Sequence, residues 1–350
     1  MKEHTAQLTR LVPSLLEWFR DHRRVLPWRE DPTPYHVWVS EIMLQQTRVA
    51  AVLGYYRRFM EELPTVEALA GVEEDRLLKL WQGLGYYNRA RNLQRAARQI
   101  VTDHGGRFPD TYAGLLALPG VGAYTAGAIA SIAFGLPEPA VDGNVLRVFA
   151  RTTGDPSDIS REDTKKAVRA QLAEVIPLEA PGAFNQALME LGALVCLPNG
   201  APDCGHCPAA PLCTAHREGR IHTLPVKGAR KPRAVEERTV YLIFHRGRVA
   251  LRRRPRRGLL AGLWEFPNEP AGTVPDWGLS PTERSFRGTG RHIFTHREWR
   301  MTGQLWRLDG DALPEGWVWA GREDLRERYA LPNAFSAFLP AVERELEDTP

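Results

Sequence analysis

Apolar positions recur at steps of three and four through the first two thirds of the chain, then give way to short alternating or β-rich runs. Leu8, Leu11, Val12, Leu15, Leu16 and Phe19 mark one face of an N-terminal helix. The same period recurs through 36–60, 89–101, 123–134, 143–151 and 164–175, with Pro and Gly between the segments. The uncharged run from Thr111 to Pro137 is long enough for a membrane span. Pro119, Gly120 and Gly122 interrupt it, and Ala and Gly dominate its second half, so it reads as two buried helices around a turn. A basic, proline-bearing stretch from Pro225 to Pro232, with Lys227, Arg230 and Lys231, reads as a linker. Beyond it, 239–245, 248–251, 263–266, 300–308 and 317–319 read as strands, followed by charged helical stretches at 322–328 and 335–347. The pattern predicts a mostly α module over 1–224, a linker over 225–237 and a small α+β domain over 238–350.

Composition supports two domains, because 350 residues exceed what one core usually serves. A net charge of +4 is only mildly basic, but Arg246, Arg248, Arg252, Arg253, Arg254, Arg256 and Arg257 crowd one short stretch. Such a cluster suits a polyanion, and equally a solvated strand pair with its turn. Glu3, Arg10 and Glu17 near the start do not suit a secretory signal, so the expected location is cytoplasmic.

Two segments carry candidate chemistry. In Leu118-Pro-Gly-Val-Gly122, Gly120 and Gly122 are expected to permit positive φ and close backbone approach, so that amides and the next helix N-terminus can face a phosphate oxygen. Alone, the same turn also closes an ordinary αα-hairpin. All four cysteines, Cys196, Cys204, Cys207 and Cys213, fall in one loop with seven, two and five residues between them. That grouping points to metal binding over disulfides, and four thiolates suit tetrahedral zinc or a [4Fe–4S] cluster. Four protein sulfurs leave no open position, so the expected role is structural, pinning a loop that turns Arg217 and Arg220 towards DNA.

Three further segments combine with the cysteine loop: Val37-Trp-Val-Ser-Glu-Ile-Met-Leu-Gln-Gln-Thr47, Leu118-Pro-Gly-Val-Gly-Ala-Tyr-Thr-Ala126 and Ala140-Val-Asp-Gly-Asn-Val145. Together, from about Leu26 to Cys213, they closely resemble the adenine DNA glycosylases, the MutY family of the helix-hairpin-helix glycosylase superfamily. Gly258-Leu-Leu-Ala-Gly-Leu-Trp-Glu-Phe-Pro267 and Arg291-His-Ile-Phe-Thr-His296 resemble that family's C-terminal domain. The resemblance implies a mostly α helix-hairpin-helix glycosylase module of two lobes, with an iron–sulfur cluster loop at 196–213 and a cleft between the lobes. It also implies a C-terminal α+β, Nudix-like 8-oxoguanine recognition domain. The implied activity is removal of adenine mispaired with 8-oxoguanine or guanine from double-stranded DNA by a nucleoid-associated monomer.

The family's roles map onto this chain residue by residue. Glu41 matches the general acid that protonates adenine at N7, and Asp142 the carboxylate that stabilises the oxocarbenium ion, a division of labour shared with paired glycosidase carboxylates. Asp142 also reads as a helix N-cap, which is compatible with that role. Tyr124 stands where endonuclease III relatives carry a Schiff-base lysine, implying base removal without efficient strand cleavage. Asn144 is implied to orient groups beside it. Gln46 and Tyr86 match residues that wedge into the base stack once the adenine has left it. Leu118, Gly120 and Gly122 form the phosphate-gripping hairpin, and Arg24, Trp28, Arg29, Leu44 and Gln186 match the adenine pocket. Phe294, Thr295 and His296 match the 8-oxoguanine recognition loop.

This chain departs from the family pattern in three places. Thr295 replaces a serine, keeping the hydroxyl and adding a methyl. The first cysteine gap is seven residues where six is usual. The C-terminal domain lacks the carboxylate-rich Nudix motif, which argues for binding over magnesium-dependent hydrolysis. A thymine or uracil mismatch glycosylase could use the same hairpin and Asp142, but Glu41 and the 294–296 loop argue against it. Intact Glu41 and Asp142 oppose a non-catalytic damage-binding module.

Overall fold

The structure, a computed structural model, describes residues 2–229 and 232–347, and its contacts form two compact units, 1–71 with 92–230 and 72–91 with 231–350. Arg230 and Lys231 of the expected linker lie outside the described residues. The first strand starts at Ala234, so it takes in 234–237 of that stretch.

The helices run α1 (Lys2–His22), α2 (Pro27–Glu30), α3 (Pro34–Leu44), α4 (Val49–Glu62), α5 (Val66–Gly71), α6 (Glu74–Leu80), α7 (Asn88–His104), α8 (Tyr112–Leu116), α9 (Ala123–Phe134), α10 (Gly143–Thr153), α11 (Glu162–Ala173), α12 (Pro181–Leu194) and α13 (Thr214–Arg217). The stripe on α1 buries Leu8, Leu11 and Leu15 in a core shared with α10, α11 and α12. No described helix is long and apolar enough to cross a membrane. The periodic run over 36–60 is two helices, broken where Gln46 takes φ 61°. The periodicity also passes over α12. Its Pro181, Phe184, Ala187, Leu188 and Leu191 are buried with Asn185, Glu190 and Gly192, so polar contrast around its circumference is weak.

Small residues let α9 pack closely. A Cβ on Gly127 would lie 2.3 Å from the Pro139 carbonyl oxygen, so the extended chain leading to Asp142 rests directly on this helix. Buried Asn185 fixes that chain from α12. Its side-chain oxygen accepts the Ala140 N–H at 3.0 Å, and its amide donates to Ser131 Oγ and the Glu138 carbonyl at 2.8 Å each.

In the second unit the strands are β1 (Ala234–His245), β2 (Arg248–Arg253), β3 (Trp264–Glu265), β4 (Asn268–Pro270), β5 (Glu283–Ile293), β6 (Arg297–Arg307) and β7 (Trp317–Ala320). The described sheet runs β3-β2-β1-β6-β5, with β4 also on β1 and β7 on β2. The β1–β6 pair is parallel and the others are antiparallel. Alternate residues of β1 enter opposite cores, Val240, Leu242 and Phe244 on one face and Tyr241 and Ile243 on the other. The first face also buries Phe335, Phe338 and Val342 from the C-terminal helical segments. The sequence pattern misses β5, which lies at the sheet edge and is largely exposed, so it lacks apolar alternation. Three of the seven clustered arginines are ion-paired within the fold: Arg252 pairs with Glu265 and Glu269, Arg254 with Glu265, and Arg253 with Asp75.

Replacing Asn185 by Ala strands the Ala140 N–H and the Glu138 carbonyl in the interior. The expected loss is about 2 kcal/mol, read as a lower urea midpoint; an unchanged midpoint would mean the 138–142 segment is held by other contacts.

Candidate active site

Glu41 sits near the end of α3. That helix begins at Pro34, and the Thr33 side chain accepts the His36 N–H at 3.2 Å. Nearly the whole circumference of α3 is covered, and Glu41 is only 6% exposed. Tyr124, in the first turn of α9, donates its hydroxyl hydrogen bond to Glu41 Oε2, and the same hydroxyl lies 3.7 Å from Met189 Sδ. Burial pushes the Glu41 carboxyl up to about 7. The Tyr124 hydrogen bond and Arg29 oppose that rise, and the Asp142 carboxylate adds to it. Burial, with the Glu41 and Asp142 charges, raises the Tyr124 phenol well above its ordinary value, keeping it a donor.

Asp142 is the N-cap of α10. Its Oδ1 accepts the Val145 N–H and its Oδ2 the Asn144 amide, each at 2.8 Å. Burial raises its pKa, and the Val145 N–H, Asn144 and Arg147 pull it back. Asp142 thus has several groups that favour its charge, whereas Glu41 has one hydrogen bond and a more distant arginine. Both carboxyls are raised overall, Glu41 to about 7, and Asp142 carries the larger set of charge-favouring contacts. Asn144 Oδ1 accepts from Arg147 at 2.9 Å, and the same guanidinium donates to the carbonyls of Gly192 and Cys196 at 2.7 Å each. A Cβ on Gly192 would come within 2.5 Å of the Asn144 Cβ, so α12 crosses the start of α10 with no room to spare.

Arg24 and Arg29 converge on Glu190, a residue that motif reading passes over. Arg24 binds it through Nε at 2.8 Å and Nη2 at 2.7 Å, and Arg29 through Nη1 at 3.1 Å and Nη2 at 2.9 Å. Burial opposes the Glu190 charge, but the two arginines hold its pKa down to about 2. A lone carboxylate within the apolar run Ala187-Leu-Met-Glu-Leu191 was the available signal. Gln186, Met189 and Glu190 share one face of α12, at the i, i+3, i+4 spacing. Gln186 donates to the Gly182 carbonyl at 3.2 Å. Trp28 is buried, edge-on to Tyr56 at 5.1 Å, and Leu44 is half-buried at the end of α3.

In the hairpin, Gly120 takes φ 76°, but Gly122 has φ −94° and ψ 178°, extended backbone that needs no glycine. The expectation of positive φ holds for the first glycine only. Gly122 is instead the exposed N-cap of α9, and Leu118 is buried with its carbonyl accepting the Val121 N–H at 3.1 Å. Gln46 is exposed, its φ of 61° unusual for a residue with a side chain.

In the second unit, Tyr86 has φ 49° and is 48% exposed, with its hydroxyl 3.1 Å from Thr295 Oγ1. Thr295 and His296 are exposed. Phe294 is half-buried, edge-on to His292 at 4.5 Å and Trp299 at 5.0 Å, so it anchors the loop that presents the other two.

The four cysteines line one space together with Arg151, His216 and Ile221. Arg151 donates to Cys196 Sγ at 3.3 Å. Among the described residues no three His, Cys, Asp or Glu side chains form a group able to hold a single metal ion. Arg217 and Arg220, expected to face DNA, share Glu218 at 3.8 and 3.0 Å.

A family model described as HhH-GPD superfamily base excision DNA repair protein matches residues 39–178, and a NUDIX domain model matches 239–341. The adenine DNA glycosylase of Rattus norvegicus is 37% identical, covering 87% of this chain and 71% of its own length. That of Homo sapiens is 38% identical, covering 91% and 71%. Among solved structures, a thermostable thymine-DNA glycosylase superposes with TM-score 0.55 at 28% identity, over 62% of this chain and 98% of that one. A trapped endonuclease III–DNA covalent intermediate superposes with TM-score 0.53 at 26% identity, over 61% and 98%. With its buried acid, capping carboxylate and hairpin in one helical unit and a Nudix fold in the other, the chain belongs to the adenine DNA glycosylase family.

Proposed function

We propose that this protein removes adenine mispaired with 8-oxoguanine or guanine from duplex DNA by hydrolysing the N-glycosidic bond, as a cytoplasmic, nucleoid-associated monomer that does not efficiently cut the strand. The observation that carries this is the buried Glu41 carboxyl, raised to about 7 and held by a phenol where a lysine would favour strand cleavage. Glu41 gives its proton to adenine N7, and the C1′–N9 bond breaks with its electron pair going to the base. The Asp142 carboxylate stabilises the resulting oxocarbenium ion, and water adds at C1′, losing its proton to a carboxylate. Asn144 and Arg147 keep the Asp142 charge aimed.

Arg24, Arg29 and Glu190 form one preorganised ion group, and with Trp28, Leu44 and Gln186 they suit a flat heteroaromatic base with donors and acceptors on its edge. Gln46 and Tyr86 fill the gap left in the stack, and the Gly120–Gly122 turn grips the backbone. Thr295 and His296, backed by Phe294, recognise 8-oxoguanine. Cys196, Cys204, Cys207 and Cys213 would hold a [4Fe–4S] cluster, which would supply a structural clamp on the loop whose Cys196 carbonyl accepts from Arg147.

Matched duplexes with A opposite 8-oxoguanine, A opposite G, T opposite G and U opposite G test the reading directly. Adenine should leave the first two, with strand breaks appearing only after alkali. Release of T or U with adenine retained overturns it. Single-turnover excision should decline as pH rises above about 7, because Glu41 then loses its proton, and Glu41→Gln should lower it by ~10²–10⁴-fold.

The same shift has a stability consequence with a definite sign. The folded pKa lies above the unfolded value of 4.5, so between 4.5 and about 7 the unfolded chain gives up a proton that the native state keeps. Rising pH therefore destabilises the native state by up to about 3 kcal/mol. Glu41→Gln should raise the melting temperature at pH 8 and change it little at pH 4; equal shifts at both would contradict the raised pKa. Finally, the purified protein should be yellow-brown with broad visible absorption, and a colourless protein with one stoichiometric zinc would refute the cluster.

A further inference from the structure

The segment 72–91 packs with 231–350, although about 140 residues separate them in sequence. It carries α6 and the loop that ends in Tyr86. Tyr86 holds a left-handed backbone conformation while half exposed, and such strain persists only where the surroundings over-determine it. Some of what holds it is local. Trp81 Nε1 donates to the Gly85 carbonyl at 3.1 Å, and Arg89 donates to the Leu84 and Gly85 carbonyls at 3.2 Å each. The Arg89 guanidinium also lies 5.4 Å from the Trp81 ring centre and 5.5 Å from that of Tyr86.

The rest comes from the C-terminal part of the same unit. Lys79, in the last turn of α6, has three ammonium protons and three acceptors: Gln82 Oε1 at 2.7 Å, the Leu325 carbonyl at 2.8 Å and the Tyr329 carbonyl at 3.3 Å. Leu325 belongs to a short helix, α14 (Arg322–Glu327). Asn333 donates to the Gly83 carbonyl at 3.1 Å, inside the wedge loop itself. Asp75 meets Arg253 at 2.6 Å, and Arg91 reaches the Ala261 carbonyl at 2.6 Å, fastening both ends of the segment. Tyr86 thus stands on the unit that also carries Thr295 and His296, joined to it below through Lys79 and Asn333 and above through its own hydroxyl.

We propose that Lys79 and Asn333 are positioning residues that mount the Tyr86 wedge on the Phe294–His296 recognition unit, so that identity of the base opposite adenine and wedge insertion are sensed by one rigid body. The inference rests on the proposed recognition of 8-oxoguanine by that loop. Neither residue needs to touch DNA. Their loss should lower the preference for A opposite 8-oxoguanine over A opposite G, leaving excision from the A:G duplex little changed.

The test is a double-mutant cycle on the full-length, cluster-containing protein. Lys79→Met removes the charge and donors at similar length, and Lys79→Arg restores donors. Single-turnover excision is measured on A:8-oxoguanine and A:G duplexes in the Tyr86 and Tyr86→Ala backgrounds. Lys79→Met should lower the ratio of the two rates about tenfold, a coupling ordinary for members of one network. Lys79→Arg should recover most of it, and the effect should vanish in the Tyr86→Ala background. An unchanged ratio, or a loss that persists without the Tyr86 ring, overturns the proposal. Should Lys79→Met fail to fold, Asn333→Ala carries the same cycle, since Asn333 is exposed. A fluorescent adenine analogue beside the lesion, read in Glu41→Gln protein, reports wedge insertion without catalysis; its signal should fall with Lys79→Met, and an undiminished signal overturns the mount. Wild-type protein that releases no adenine opposite 8-oxoguanine defeats the functional reading itself. Wild-type preference for 8-oxoguanine with an indifferent Lys79→Met defeats only the mount.

Discussion

A carboxyl group buried against a single phenolic donor is the constraint on which the cleft depends. Glu41 is buried, and its hydrogen bond among the described residues comes from the Tyr124 hydroxyl, so burial raises its carboxyl to about 7. That state requires α3 and α9 to exclude solvent around it, which is why α3 is apolar on almost every side and α9 is built from small residues. Tyr124 is compatible with the arrangement because its own pKa is pushed up in the same surroundings, so it stays a donor and does not compete as a base.

The second carboxylate is managed in the opposite way. Asp142 is given the Val145 amide and the Asn144 side chain, which counter part of the upward push of burial, and Arg147 links that network to two carbonyls, one of them on Cys196. Capping α10 and the proposed stabilisation of a cationic sugar both ask for a fixed carboxylate at this position, so the two are compatible. The third buried carboxylate, Glu190, is ionised by two arginines and takes no proton in the working pH range. Three acidic side chains in one helical unit therefore have three different charge environments, set by how many donors each one meets.

Much of this was legible because the chemistry sits in contiguous motifs. The hairpin, the Asp142 cap and the cysteine loop each declare themselves within a few residues, and the apolar period located most of the helices around them. Glu190 and Asn185 did not, because their partners lie 166 and 45 positions away and only the folded chain brings them together. Arg147 was equally silent, reading as one more polar residue on an amphipathic helix. Strand β5 escaped because an exposed edge has no apolar face to alternate, and the ion pairs of the arginine cluster escaped because charge runs in sequence do not reveal which carboxylates will meet them. The assignment of 72–91 to the C-terminal unit rests on Asp75, Lys79 and Gly83 finding partners more than 170 residues on, a relation no local pattern encodes.

Gln46 and Tyr86 share a feature that sequence periodicity obscured, a left-handed backbone on a residue with a large side chain. Each such residue costs about 1–2 kcal/mol, and a continuous helix through 36–60 would have avoided that cost at Gln46. It would also have laid the side chain along a helix surface. The break after Leu44 instead leaves Gln46 exposed at a tight bend, with buried α3 on one side and half-buried α4 on the other to offset the strain. At Tyr86 the offset comes from Trp81, Arg89, Asn333 and Thr295, polar and aromatic contacts in place of a helical core. The two bends are therefore held by different means. Gln46 is secured by packing that is indifferent to what lies opposite the adenine, whereas Tyr86 is secured partly by the loop that would meet that base. Under the proposed reading, the described contacts give Tyr86, through Thr295, a route by which the opposing base would alter how firmly it stands.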